Sequence, residues 1–146
     1  MLKEMMSNIE IIKTCAIRKI PLVGVYSKDK LPSNIRSGNY IVNMQDDEDG
    51  NGTHWVSFIK GEGMQPSFYF DSYGVTAPTS IADALRMYDY NKRDIQSMES
   101  KACGLYCISF LEAMREPTKA NFDKFVNSWS WIQKKNDLVL CAKLQM

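Results

Sequence analysis

The spacing of apolar residues predicts a helix near the beginning of the chain. Apolar side chains recur at near-helical intervals at Ile9, Ile12, Cys15 and Ala16. Ser7 and Glu10 form a capping-box pattern just ahead of this run. We therefore expect a helix over Asn8–Ile17. Pro21 and Gly24 interrupt the pattern, and residues 29–38 are expected to form a loop.

Three short runs rich in aromatic and β-branched residues predict strands in the middle of the chain. The runs cover residues 39–44, 54–60 and 67–71. The polar stretch at residues 46–52 and the Gly-Glu-Gly at residues 61–63 have the composition of turns. Strands joined by such short turns favour an antiparallel meander.

The second half of the chain is predicted to be mostly helical. Ser80 is a candidate cap for a helix whose apolar side carries Ile81, Ala84, Leu85 and Tyr88. Residues 93–96 are expected to form a short edge strand or an extended loop. Residues 103–115 are apolar on nearly every side, which is typical of a buried central helix. An amphipathic surface helix is predicted from Phe122, Phe125, Val126 and Trp129.

The order of these elements predicts the fold class. Helix, sheet and then helices is the order of an α+β domain rather than of a βαβ repeat. The 146 residues are 45% hydrophobic, which suits one domain with one core over residues 1–146. Charge is balanced, with 18 Lys and Arg against 17 Asp and Glu, so the chain has no excess that favours DNA. No apolar stretch approaches the roughly 18 residues of a membrane span.

The cysteines and the single histidine bear on metal binding and on the cellular compartment. The chain has four Cys and one His, and it lacks a CxxC pair, so no metal site and no cofactor are expected. The start of the chain does not resemble a signal peptide. We therefore expect an intracellular protein with reduced thiols and no membrane association.

Four residues form a candidate catalytic set in the order His54, Asp71, Gln96 and Cys103. The positive end of a helix dipole and an imidazolium both favour a thiolate, and Cys103 begins the predicted central helix. A carboxylate at Asp71 would hold the ring of His54 in the useful tautomer. The amide of Gln96 and the backbone N–H of Cys103 would stabilise an oxyanion. From spacing alone the alternative stays open that Cys103 and Cys107 are equivalent core residues.

The same residues carry a resemblance to a known family. The segments around His54-Trp55, around Tyr69-Phe70-Asp71-Ser72, and at Gln96 with Ala102-Cys103-Gly104-Leu105-Tyr106-Cys107 resemble those of adenovirus-type maturation proteases. The spacings of 17 residues from His54 to Asp71 and of 7 from Gln96 to Cys103 are similar to the family's. The resemblance covers about residues 12–116. The wider group includes the proteases that remove SUMO and ubiquitin-like modifiers.

The resemblance implies a cysteine endopeptidase with a papain-like core in permuted order. In that core a small antiparallel or mixed sheet packs against the helix of the nucleophile. Cys103 would be the nucleophile, His54 the general base and acid, Asp71 its orienting carboxylate and Gln96 the oxyanion donor. Trp55 is a candidate for the substrate groove, with core packing as the alternative. Cys107 is expected to face the core.

The implied substrates are capsid and core precursor proteins, cut beside Gly during virion maturation. The protein would act in the host cytoplasm or a virus factory, with packaging in the virion as an option. The main alternative is a protease that removes SUMO or ubiquitin-like modifiers from host proteins, because Asp71-Ser72 is closer to the usual acidic segment of that group. An acyltransferase and a non-catalytic binding or assembly module are further alternatives. Activation by DNA or by a peptide, as in the adenovirus enzymes, is not expected here.

Overall fold

A computed structural model of the protein describes residues 5–45, 54–98 and 100–144. These residues form an α+β fold, as predicted. The helices are α1 (Asn8–Ile17), α2 (Thr79–Leu85), α3 (Cys103–Ala113), α4 (Lys119–Asn127) and α5 (Gln133–Lys143), with a 3-10 turn at Lys28–Lys30. The strands are β1 (Gly24–Ser27), β2 (Gly38–Asn43), β3 (Trp55–Lys60), β4 (Ser67–Phe70) and β5 (Tyr88–Tyr90).

The five strands of the described residues form one mixed sheet in the order β1-β2-β3-β4-β5. Strands β2, β3 and β4 pair antiparallel, so the predicted meander is confirmed. Strands β1 and β5 add to its two edges by parallel pairing. Both edge strands were missed from the sequence. At four and three residues they are too short for a pattern, and Gly24 at the start of β1 looked like a breaker.

Both faces of the sheet are covered, and the alternation of side chains in β3 shows how. Trp55 and Ile59 belong to the larger core, which includes α3, whereas Val56 and Phe58 belong to a second core with residues of α2. Helix α3 is buried at every position from Cys103 to Leu111. The predicted central helix is therefore confirmed, and it ends at Ala113, slightly earlier than expected.

Helix α1 matches its predicted bounds, and both hydrogen bonds of the capping box are formed. The prediction for α2 was wrong in detail. The helix begins at Thr79 with Pro78 as the N-cap and no side-chain cap, so Ser80 lies within the first turn. Tyr88 is in β5 because the backbone at Arg86 turns to a φ of 66° and ends the helix.

Three further parts of the chain complete the comparison. Residues 93–96 form an extended loop, one of the two alternatives predicted for them. The turn expected at residues 46–52 lies outside the described residues. Helix α5 was not predicted. Its exposed side carries the apolar residues Leu138 and Val139, whereas the polar residues Asn136 and Asp137 are buried. This is the reverse of the usual amphipathic pattern, so the sequence carried no helical signal. In the described part of the chain, no helix is both long and apolar enough to cross a bilayer.

Candidate active site

The β3–β4 pair brings His54 and Asp71 together at one end of the sheet. His54 directly precedes β3 and Asp71 directly follows β4. Because these strands are antiparallel, the start of one lies beside the end of the other. Nε2 of His54 lies 2.8 Å from Oδ1 of Asp71. This placement agrees with the pairing expected from the sequence.

Asp71 is held in place from several directions. Its Oδ1 also accepts a hydrogen bond of 2.8 Å from the backbone N–H of Tyr73. The side chain of Asn91 accepts from the N–H of Asp71 at 3.2 Å and donates to its carbonyl oxygen at 2.6 Å. Gly74 completes the turn with a φ of 76°, and a Cβ there would lie 2.4 Å from the backbone of Arg93. The carboxylate is therefore fixed in orientation as well as in place.

Cys103 is the first residue of α3 and lies directly beside the start of β3. Its sulfur accepts a hydrogen bond of 3.4 Å from the backbone N–H of Trp55. The thiol therefore stands at the N-terminal end of α3 and next to a backbone donor. The side chain is closed to solvent, with 1% of its surface exposed. Sδ of Met5 lies 3.1 Å from the sulfur and covers it.

The charge on His54 follows from its surroundings. Burial is the largest influence and favours the neutral ring. The hydrogen bond to Asp71, the adjacent thiol of Cys103 and the charges of both outweigh it, so the pKa of His54 is raised to about 9. Nδ1 is buried and has no aligned hydrogen-bond partner among the described residues. Since Asp71 engages Nε2, Nδ1 is the nitrogen left to exchange a proton with Cys103.

The side chain of Gln96 is fully buried, and both ends of its amide are engaged. Oε1 accepts a hydrogen bond of 2.5 Å from the hydroxyl of Ser72, and Nε2 donates to the carbonyl oxygen of Ser100 at 2.8 Å. The carbonyl oxygen of Ser72 also accepts from the backbone N–H groups of Ile95 and Gln96. Because a carbonyl oxygen can only accept, the bond to Ser100 orients the amide with its nitrogen toward that residue. A primary amide carries two N–H groups, so one N–H remains besides the one bonded to Ser100.

Two residues close to the site, Cys107 and Trp55, are both buried in the core. Cys107 is fully buried, as predicted, and burial raises the pKa of its thiol well above the usual value. Trp55 has 4% of its surface exposed and belongs to the main core, and its indole N–H donates to the carbonyl oxygen of Met6 at 2.9 Å. This is the core packing considered for Trp55.

Sequence reasoning missed several residues that contact the site. The ring of Tyr73 lies over the imidazole of His54, with centroids 4.9 Å apart. Ser72 contacts Gln96, Asn91 contacts Asp71, and Met5 covers Cys103. A signal existed for Tyr73, because continuing the β3–β4 register by two residues beyond Asp71 sets it opposite His54. Met5 and Asn91 had no local signal, because their contacts depend on distant parts of the chain.

In the described ranges, no three His, Cys, Asp or Glu side chains are grouped so that they could hold a metal ion. The four cysteines are free thiols. No protein-family model matches this chain, and no curated protein matches it in sequence. The arrangement of the side chains therefore carries the functional argument. It places a buried acid–imidazole pair beside a thiol at a helix N-terminus, with an amide donor close by in the chain.

Proposed function

We propose that the protein is a cysteine peptidase that cleaves peptide bonds through an acyl-enzyme, with a papain-like core in permuted order. The observation that carries the proposal is the hydrogen bond of 2.8 Å between His54 and Asp71 next to Cys103. A hydrogen-bonded carboxylate, imidazole and thiol at a helix N-terminus suit nucleophilic catalysis. The resemblance to adenovirus-type maturation proteases points to capsid and core precursors as substrates.

The attack on the substrate uses Cys103 and Gln96. The Cys103 thiolate attacks the scissile carbonyl carbon and forms a carbon–sulfur bond, and the carbonyl oxygen becomes an oxyanion. The free N–H of Gln96 and the backbone N–H of Cys103 donate to that oxyanion. The first N–H groups of a helix have no acceptor within the helix, so the one at Cys103 is available.

The remaining steps use His54 and Asp71 to complete the acyl-enzyme and then to hydrolyse it. Nδ1–H of protonated His54 gives its proton to the leaving amine as the carbon–nitrogen bond breaks. Neutral His54 then takes a proton from water, which attacks the thioester carbonyl and releases the acid. Cys103 leaves as a thiolate beside the imidazolium. Asp71 keeps the ring oriented throughout and favours its protonated form.

Substrate access requires a change at Met5. With the sulfur of Met5 3.1 Å from the sulfur of Cys103, a scissile carbonyl has no room to approach. The side chain of Met5 must therefore move aside when a peptide binds. Methionine is flexible and unbranched, so this movement needs only rotamer changes and no rearrangement of the sheet.

The proposal is tested first by thiol reactivity and then by hydrolysis. Alkylation of each cysteine is followed by mass spectrometry from about pH 5 to 9, in the wild type and in His54→Ala. Cys103 should react at pH values well below the usual thiol range and lose that advantage in the variant. Cys141 is a matched internal control because it is the more exposed thiol, and burial raises the pKa of Cys15 to about 11.

Hydrolysis is then measured on two substrate panels, Gly-containing peptides from capsid precursors and linear SUMO or ubiquitin fusions. Cleavage should disappear in Cys103→Ala and persist in Cys107→Ala. Cleavage of the precursor peptides supports a maturation protease, whereas cleavage of the fusions alone supports the modifier-removing alternative. If Cys103 reacts no faster than Cys141 and neither panel is cut, the peptidase proposal is wrong.

A further inference from the structure

Helix α5 reaches the loop that carries Gln96 and holds it on both sides. Asn136 and Asp137 are consecutive and buried, with 1% and 3% of their surfaces exposed. Nδ2 of Asn136 donates to the carbonyl oxygen of Ile95 at 3.0 Å. Oδ2 of Asp137 accepts from the hydroxyl of Ser97 at 2.6 Å. The two polar side chains therefore form hydrogen bonds with the residues immediately before and after Gln96.

The same carboxylate of Asp137 also contacts the helix of the nucleophile. Its Oδ1 accepts a hydrogen bond of 2.6 Å from the hydroxyl of Tyr106, which lies three residues after Cys103 on α3. Hydroxyl hydrogen bonds to a carboxylate are short and roughly twice as strong as neutral ones. One buried group thus joins the loop of the oxyanion donor to the helix of the thiol.

Tyr106 is held rigidly by its packing, so its hydrogen bond can fix the position of Asp137 relative to α3. Its side chain is fully buried, and its ring packs on Trp129 with centroids 5.3 Å apart. Burial, together with the hydrogen bond and charge of Asp137, raises the pKa of Tyr106, so its hydroxyl stays protonated and keeps donating. Helix α3 is packed on all sides, so any change in the distance between Gln96 and Cys103 has to come from movement of the loop.

We propose that Asp137 is a positioning residue that fixes the amide of Gln96 relative to Cys103 through Ser97 and Tyr106. The inference rests on the proposed function, since it assigns Asp137 a part in oxyanion stabilisation. Asp137 is not required to touch the substrate. Its effect is geometric, and a misplacement of about 1 Å in a catalytic group can cost on the order of 100-fold in rate.

The positioning is tested without any substrate by NMR of the side-chain amide of Gln96. The Gln96 NH₂ signals are identified by their loss in Gln96→Glu. The wild type should give one sharp pair that exchanges slowly with solvent. In Ser97→Ala and in Asp137→Ala the pair should broaden or exchange faster, whereas Ser97→Thr, which keeps the hydroxyl, should restore it. Ser80→Ala, an exposed serine on α2, is the matched control.

The catalytic consequence is tested by kinetics on the full chain. Ser97→Ala and Asp137→Ala should lower kcat by about 10- to 100-fold with little change in KM. The rate of Cys103 alkylation should stay unchanged, because His54 and Asp71 are untouched. A merely structural loss would lower alkylation and activity together. In a Gln96→Ala background, Ser97→Ala should have almost no further effect on kcat, because both act through one group.

Each outcome of these experiments either supports or overturns the positioning role of Asp137. An unchanged Gln96 signal in Ser97→Ala overturns the proposal even if Asp137→Ala fails to fold. A disturbed signal with an unchanged kcat shows that the contact is structural and also overturns it. If the wild type cuts neither substrate panel and Cys103 reacts no faster than Cys141, the proposed function fails on its own. The NMR result then still decides whether Asp137 fixes the amide.

Discussion

The candidate active site has two sides that are built by different means. On the hairpin side, His54 and Asp71 flank two paired strands, and one direct hydrogen bond of 2.8 Å joins them. On the loop side, Gln96 lies in irregular backbone between β5 and α3. Its position depends on side chains from elsewhere in the chain, above all Ser72, Asn136 and Asp137. Strand pairing thus sets most of one side of the site, with Asn91 supporting Asp71, whereas the other side depends mainly on side-chain hydrogen bonds.

The difference predicts how each side should respond to substitution. The hairpin side sets the charge state of the imidazole, so damage there should change the pH dependence of the reaction. The loop side supplies geometry, so damage there should lower kcat and leave the pH dependence alone. Four predictions test this division, in order of expected effect.

The largest effect is expected from Asp71→Asn on the hairpin side. The change keeps the size of the side chain and removes its charge, so the ring loses its orienting anion and kcat should fall by about 10³- to 10⁴-fold. The wild type should lose activity as pH rises through about 9, where His54 gives up its proton. In the variant the pKa of His54 is lower, so this loss should occur at lower pH. Steady-state rates across pH check both effects.

Asp83→Asn is the matched control, because Asp83 is an exposed carboxylate on α2. It should leave the rate and the pH profile unchanged. An alkaline limb that stays near pH 9 in Asp71→Asn would show that Asp71 does not set the charge of the ring.

The next largest effect is expected from Gln96→Ala on the loop side. Removing one oxyanion donor typically costs about 10²- to 10³-fold in kcat. The alkaline limb and the rate of Cys103 alkylation should be those of the wild type, since the imidazole is untouched. Gln65→Ala, at an exposed turn, is the control. A shifted pH profile in Gln96→Ala would contradict the division between the two sides.

A smaller effect is expected from loosening the support of the loop at Arg93. Its guanidinium donates to the carbonyl oxygens of Val126, Trp129 and Ser130 at 3.0, 3.0 and 2.6 Å. Arg93→Met leaves these acceptors without their charged donor, which should cost about 2–4 kcal/mol in the free energy of unfolding. Urea denaturation measures the loss. Lys92→Met, the same change at an exposed neighbour, should cost far less, and equal losses would contradict the role of Arg93.

The smallest effect is expected from uncovering the thiol. Met5→Ala removes the sulfur that lies 3.1 Å from the sulfur of Cys103. Alkylation of Cys103 should become a few-fold faster with an unchanged pH dependence, because access improves while the charges stay the same. Met64→Ala, at a fully exposed methionine, should have no effect. Equal rates in Met5→Ala and the wild type would show that Met5 does not limit access.

The same division explains how much of the molecule could be predicted from its sequence. The meander, the bounds of α1 and the start of α3 at Cys103 follow from local periodicity and capping, and the structure confirms them. The proximity of His54 and Asp71 follows in turn from antiparallel pairing. Local patterns therefore sufficed for the hairpin side.

The loop side was harder to predict because its contacts join residues far apart in sequence. The bond from Ser97 to Asp137 spans 40 residues, and that from Tyr106 to Asp137 spans 31. Helix α5 itself was missed, since its buried face includes Asn136 and Asp137 and its exposed face includes Leu138 and Val139. Buried polar residues invert the pattern that sequence reasoning uses, and here they are the residues that hold the loop.

The burial of α3 on every side has a consequence for how such a protein can diversify. From Cys103 to Leu111 no position offers a surface where substitutions would be neutral. Under the proposed function, substitutions that alter substrate preference are therefore expected at exposed positions outside this stretch of α3.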